Sequence, residues 1–157
     1  MRLDGRIEIA APPDATWALV LDPLTLAGCV PGVREVTRVD ERTFTGAVTA
    51  SVGPMDGDFS FTSIITRAER PELEVVIEGV DSVTRSRLEA TVHVVLEERG
   101  AASGTLAYRA DLRIRGRLAI LGEMVLRATA SLMIGEVTRC LRARLETPAA
   151  AQPGTGA

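Results

Sequence analysis

Aromatic residues are scarce: Phe, Trp and Tyr together make up 3% of the 157 residues. Lysine is absent, and a single histidine and two cysteines complete a short list of reactive side chains. No apolar run approaches the ~20 residues that a helical membrane span requires. Each shortage excludes something. Without rings there is no platform for stacking bases, and the mixed signs along the chain form no basic block for phosphates, so nucleic acid is excluded as a partner. The pair Cys29 and Cys140 makes no disulfide framework. A bond between the two stays open on sequence grounds, with a reducing cytoplasm arguing against it. Met1-Arg2-Leu3-Asp4-Gly5 alternates in polarity and lacks the apolar core of a secretory signal, so a cytoplasmic protein is expected.

What is present is aliphatic. Hydrophobic residues reach 46% with a net charge of -3, which places the chain among single globular domains with one core. A core of Val, Leu, Ile and Ala either packs densely from small pieces or leaves a void. A dry apolar void forfeits dispersion contacts along its walls and usually exists because something occupies it.

Arg2 to Ala10 alternates as a half-buried strand, with Leu3, Ile7 and Ile9 on one side. Ala11-Pro12-Pro13-Asp14 stops it and opens a helix carrying Trp17, Leu21 and Leu24 at helical spacing. Asp22-Pro23 reads as a second N-cap with proline at the first helical position. Val30-Pro31-Gly32 ends these short helices. From Val33 the period is two: Phe44, Val48, Ala50 and Val52; then Phe59 and Phe61; then Leu73, Val75 and Ile77. Leu88, Ala90, Val92, Val94 and Leu96 follow, and last Leu106, Tyr108, Ala110, Leu112 and Ile114. Gly53-Pro54 and Asp56-Gly57 read as turns, and Pro71 as a break. After Gly116 helical spacing returns, with Leu118, Leu121, Val125 and Leu132 on one stripe and a Glu123–Arg127 i,i+4 pair opposite. This helix, ending near Glu146, is expected to be ~45 Å long, enough to cover a whole sheet face. Residues 147–157 read as a flexible tail after a domain of residues 1–146. The fold class is α+β: a seven-stranded curved antiparallel sheet, two short helices and a long C-terminal helix over an apolar cavity.

Few side chains carry chemistry. His93 sits opposite Val92 and Val94, toward solvent, with no second ligand nearby, so neither a metal site nor a catalytic residue is expected. Cys29 and Cys140 read as small buried hydrophobes. Asp56 and Asp58 lack the further oxygen ligands a cation loop needs and read as turn residues. Arg109, Arg113 and Arg115 alternate on the outer face of the last strand, either as a solvated face or as a docking patch for an acidic partner or anionic headgroups. Candidate ligand contacts are Val48, Phe59, Phe61, Val92 and Tyr108 from the sheet, and Trp17, Leu24, Leu121 and Val125 from the helices. Gly122 is expected on the covered side of the long helix, where close approach would justify it. Gly135 has no explanation.

Ala11-Pro12 with Trp17, Asp22-Pro23 and Leu26, Cys29-Val30-Pro31-Gly32, Gly53-Pro54 and Gly116-Arg117-Leu118-Ala119-Ile120-Leu121-Gly122 together carry a resemblance. Across residues 1–146 the chain resembles the carbon monoxide dehydrogenase G-subunit (CoxG) family, within the START-like and Bet v 1-like helix-grip superfamily. The resemblance implies a non-enzymatic accessory to a molybdenum hydroxylase, holding no metal or intrinsic cofactor. It implies an apolar ligand, a quinone or a lipid, and a peripheral contact with the inner face of the membrane. Two departures stand out: Val80 to Arg87 carries bulk and charge where relatives have a Gly-rich stretch, and the chain lacks the membrane-associating extension of some relatives. The rival expectations are a cyclase or hydrolase of the same fold, working with pocket residues, and a structural adaptor with a closed pocket.

Overall fold

The computed structural model describes residues 1–146 in full and, from 147 to 156, the course of the backbone alone. The expected tail, 147–157, therefore lies outside the fully described residues. In chain order the elements are β1 (Arg2–Ile9), α1 (Pro13–Val20), α2 (Pro23–Ala27), β2 (Val33–Arg38), β3 (Thr43–Val52), β4 (Met55–Glu69), β5 (Glu72–Asp81), β6 (Arg87–Gly100) and β7 (Ser103–Arg115). A 3-10 turn (Arg117–Leu121) and the long helix α3 (Glu123–Gly156) complete the chain.

The strands form one seven-stranded sheet in the order β1-β7-β6-β5-β4-β3-β2, every pair antiparallel. β2 to β7 is a simple meander, as their short connections require, while α1 and α2 carry the chain from β1 on one edge to β2 on the other. Asp22 caps α2 as expected, accepting from the Thr25 backbone N–H at 3.4 Å and from Thr25 Oγ1 at 2.6 Å.

The sheet curls because it is long and broken in register. β4 has 15 residues, roughly 50 Å at ~3.3 Å each, and register shifts interrupt β2–β3, β4–β5 and β6–β7. Inner-face rings fold over cross-strand glycines: Phe61 lies opposite Gly46, where a Cβ would come 2.7 Å from its Cζ, and Tyr108 covers Gly5 at 2.8 Å in the same way. Gly57, expected in a turn, is likewise a strand residue, with the Phe59 ring 2.7 Å from where its Cβ would stand. Asp56 and Asp58 follow it into β4. Asp56 accepts from Ser51 Oγ at 2.9 Å across the β3–β4 pair, and Asp58 pairs with Arg34, so cross-strand bonding and not turn chemistry explains both.

α3 runs along the free edge of β1. Arg127 and Arg142 donate to the carbonyls of Arg2 and Glu8 at 2.9 and 3.0 Å, and the Glu146 carboxylate accepts from the Ala10 N–H at 2.7 Å. The helix thus covers an edge that would otherwise be open to another strand. Ile9, Leu96 and Leu106 of the sheet form one buried cluster with Leu141 of α3, Val20 of α1, Phe44 and Ile65.

The structure corrects the reading of α3 in one respect. Gly122 has φ +87, a left-handed value glycine adopts without strain, and it ends the 3-10 turn before the helix begins at Glu123. Nothing lies within 4 Å of where its Cβ would be, so backbone conformation, not close packing, is its role. The break shifts the helix's phase. Leu132, expected on the covered stripe, is 74% exposed, and Leu126, Ala130, Met133 and Val137 face the sheet instead. The Glu123–Arg127 pair forms, at 3.8 Å.

Candidate functional site

α3 touches the sheet's rim at Arg2 and Gly53 but does not fill the hollow of its inner face. Between them lies a chamber of about 540 Å³, walled by residues of β2 to β7, by α2 and by α3. Ser63 and Thr129 are the only polar side chains in its wall, and no ionisable side chain lines it among the described residues. That volume falls within the roughly 300–1,000 Å³ of pockets that take small-molecule ligands. The scarcity of rings leaves dense packing and a void as alternatives; the structure has a void, bordered by Val20, Phe44, Ile65 and Leu73 of the buried core.

Of the candidate contacts, Val48, Phe59, Phe61 and Val92 stand on the chamber wall. Trp17 and Tyr108 pack instead against the buried core. Leu24 is 50% exposed on α2, whose wall contributions come from Pro23, Leu26 and Ala27. Leu121 and Val125 fall outside the wall, Val125 lying against Gly53 at the β3–β4 turn, because Gly122 rotates the helix away from the phase of a continuous one. Leu118 of the expected stripe does line the chamber, and Leu126, Thr129 and Met133 join it there. The apolar cycle of the long helix was the signal for these, once offset for the break.

Cys29 and Cys140 are joined by a disulfide, with Cα atoms 5.5 Å apart. Both were expected as separate buried thiols; Cys29 is indeed buried, but it is bonded. Each sits beside the chamber: Ala27 and Val30 flank Cys29, and Val137 lies one turn before Cys140. The bond clasps the α2 wall to the helix that roofs it.

At the opposite end, a buried polar cluster fixes the β5–β6 loop. Asp81 is fully buried and accepts from the N–H groups of Asp58 at 2.8 Å, Val83 at 3.2 Å and Thr84 at 3.0 Å, as well as from Thr84 Oγ1. Burial pushes this carboxyl up, but the bonds from Thr84, Asp58 and Val83 outweigh it and hold the pKa below the ordinary 3.8. Ser86 Oγ lies 2.7 Å from Thr84 Oγ1 and accepts from the Leu118 N–H at 3.0 Å, tying the loop to the 3-10 turn. The bulky, charged Val80–Arg87 stretch therefore folds around one carboxylate, a role the sequence did not disclose.

Around this loop the surface changes character. Ile120 and Met124 are 83% and 86% exposed, Val83 64%. Arg85 of the loop and Arg117 of the 3-10 turn are exposed, Arg87 and Arg115 stand opposite each other on the outer face of β6 and β7, and none of the four is in an ion pair among the described residues. β1 pairs with β7 from Gly104 to Asp111, and Met1 extends the ladder by exchanging backbone hydrogen bonds with Leu112 at 2.9 and 2.7 Å, which leaves Arg113 to Arg115 beyond the reach of β1. A more polar groove of about 660 Å³ adjoins the chamber there and shares Met1, Leu112, Ile114 and Leu126 with it.

The outer sheet face is mixed in charge. Arg109 lies opposite Asp4 and Arg113 opposite Glu89, so these two arginines alternate with acids. His93 Nε2 is 3.3 Å from Glu72 Oε1 on that face. Among the described residues no group of three or more His, Cys, Asp or Glu is placed to hold a metal ion, and no helix is long and apolar enough to cross a membrane.

Comparison with known proteins agrees with this architecture. The family model for the carbon monoxide dehydrogenase G-subunit (CoxG) matches residues 5–146. No curated protein matches the sequence. Among solved structures, a conserved protein from Geobacillus kaustophilus superposes with a TM-score of 0.86 at 17% identity, over 94% of this chain and 96% of that one. A START superfamily protein from Mycobacterium smegmatis gives 0.69 at 14% identity, over 93% and 97%. The Zhui aromatase/cyclase from Streptomyces sp. R1128 gives 0.70 at 12% identity, over 93% of each chain. At these identities the likeness establishes a shared helix-grip fold.

Proposed function

The chain belongs to the carbon monoxide dehydrogenase G-subunit (CoxG) family, and from that premise we propose that it is a carrier that holds an apolar small molecule between sheet and α3. The chamber is the observation that supports this most: about 540 Å³ of space with an almost wholly hydrocarbon wall. Closing it would recover dispersion contacts along that wall, and an apolar ligand recovers them in the same way. A quinone head with a short tail, or part of an acyl chain, matches its capacity. Catalysis in the chamber is less well supported, since general acid–base chemistry needs a titratable group within reach and the wall offers two hydroxyls.

The carrier serves a molybdenum-containing hydroxylase and takes up its ligand at an anionic membrane surface. The arginine and apolar tip supports the second step. Ile120, Met124 and Val83 suit the acyl boundary and Arg85 and Arg117 suit headgroups. Native mass spectrometry of protein purified from its own host tests carrying. A 1:1 adduct, released on denaturation and identified as an apolar molecule, is expected. Protein that is empty and takes up neither a quinone nor a fatty acid refutes the reading. Co-purification with a molybdenum hydroxylase checks the partner.

A further inference from the structure

We propose that Ser63 selects the ligand: its hydroxyl donates to a carbonyl or comparable acceptor on an otherwise apolar molecule. The inference rests on the carrier reading above and names the chemical class of its ligand. Ser63 lies on the inner face of β4, between Phe61 and Ile65, with Phe44 and Ile77 as its cross-strand neighbours. All of these line the chamber. Position by position, this wall is where an aliphatic or aromatic residue would fit the pattern, and a serine interrupts it.

The two hydroxyls of the wall are not equivalent. Thr129 Oγ1 donates to the Val125 carbonyl at 3.1 Å, the usual local bond of a helical threonine, and its proton is spent. Ser63 Oγ is in no side-chain hydrogen bond among the described residues, and it is not sealed from the chamber. Its backbone neighbours are engaged in the ladders to β3 and β5. Among the described residues, Ser63 is therefore the side chain that offers the chamber's contents a free donor in a hydrocarbon setting.

Such a donor discriminates by what it costs when left alone. A hydrocarbon filling the chamber strips water from the hydroxyl and gives nothing back, whereas a ligand oxygen satisfies it. A site built to hydrogen-bond its ligand rejects the analogue lacking the partner more strongly than an apolar pocket rejects a missing methylene. One neutral hydrogen bond corresponds to roughly five- to tenfold in relative affinity. The competing account is that Ser63 is merely small, leaving room beside Phe44. Ser63→Ala separates the two, because it keeps the size and removes the hydroxyl.

The experiment titrates the full chain, by calorimetry, with 2-methyl-1,4-naphthoquinone and with 2-methylnaphthalene, which share a ring skeleton and differ in the carbonyls. The quantity read is the ratio of the two affinities, which cancels the compounds' differing solubility when proteins are compared. In Ser63→Ala the ratio is expected to fall roughly five- to tenfold, through weaker quinone binding with equal or tighter hydrocarbon binding. The isosteric pair Ser63→Thr and Ser63→Val repeats the comparison should the alanine variant fail to fold, and only the valine should lose the preference. An unchanged ratio with both compounds bound overturns the role of Ser63 and leaves the carrier standing. If the wild-type chain binds neither compound, the carrier reading fails and this inference falls with it.

Discussion

Replacing both Cys29 and Cys140 with alanine removes the one covalent tie between the α2 wall and α3, and its cost follows from chain length. The bonded residues are 111 apart in sequence. Cross-linking a loop of about 100 residues lowers the entropy of the unfolded chain by an equivalent of about 4–5 kcal/mol in the loop-closure account, and measured values run lower, at about 2–4 kcal/mol. With a urea slope of about 2 kcal/mol per molar, the unfolding midpoint should drop by about 1–2 M. The assay is equilibrium unfolding in urea followed by circular dichroism, comparing oxidised wild type, wild type in reductant and the double variant. The last two should coincide below the first. The clasp also sits where Val30 meets Val137 on the chamber wall. Its loss should speed ligand dissociation as α3 loosens there, which stopped-flow displacement reads. Superposed unfolding curves for all three samples would refute the reasoning, since a bonded pair at this separation cannot be silent in the unfolded state.

Three further outcomes are expected. Asp81→Asn keeps one acceptor oxygen where the carboxylate served four donors, and should cost about 2–4 kcal/mol in the same urea assay. Because the Asp81 pKa is depressed in the fold, its stabilisation is complete above the ordinary 3.8 and disappears as pH falls through the folded value; wild type should therefore converge on the variant below about pH 4, and parallel pH profiles would contradict this. Ala130→Trp places a large ring in the chamber from α3 and should abolish ligand uptake in native mass spectrometry while leaving the far-ultraviolet spectrum unchanged; undiminished uptake would place the ligand elsewhere. Ile120→Glu with Met124→Glu should reduce flotation with phosphatidylglycerol vesicles at least tenfold, and wild-type binding should weaken with salt. Equal flotation of both proteins would remove the tip from membrane contact.

Much of this fold was legible in local pattern. Alternation placed each strand, Asp22-Pro23 announced a capped helix, and Pro71 fell between β4 and β5, where the Arg70–Pro71 peptide is cis. The resemblance carried by Asp22-Pro23, Cys29 to Gly32 and Gly116 to Gly122 pointed to the family that the match over residues 5–146 establishes. Phe59 and Phe61 were read as inward, and inward they are. What pattern misjudged was phase and partnership. Gly122 looked like a helical residue because spacing continues on both sides of it, and only its φ of +87 reveals the break that moved Leu121 and Val125 off the chamber wall. Asp56-Gly57 looked like a turn because those residue types favour turns, yet a long curling strand uses the glycine to seat Phe59.

The sequence by itself determined which strand faces are apolar, the order of the elements, and that a long helix must lie on a sheet, because each follows from the few residues on either side. Tertiary structure alone decided that the sheet and α3 part between Leu126 and Val137, that Cys29 and Cys140 meet, that Asp81 gathers four donors, and that one serine faces the void. These are matters of volume and distance between segments far apart in the chain. Burial is encoded locally by side-chain type, whereas contact depends on how a curved sheet and a straight rod fit, and a rod on a curved surface leaves space where the curvature is greatest.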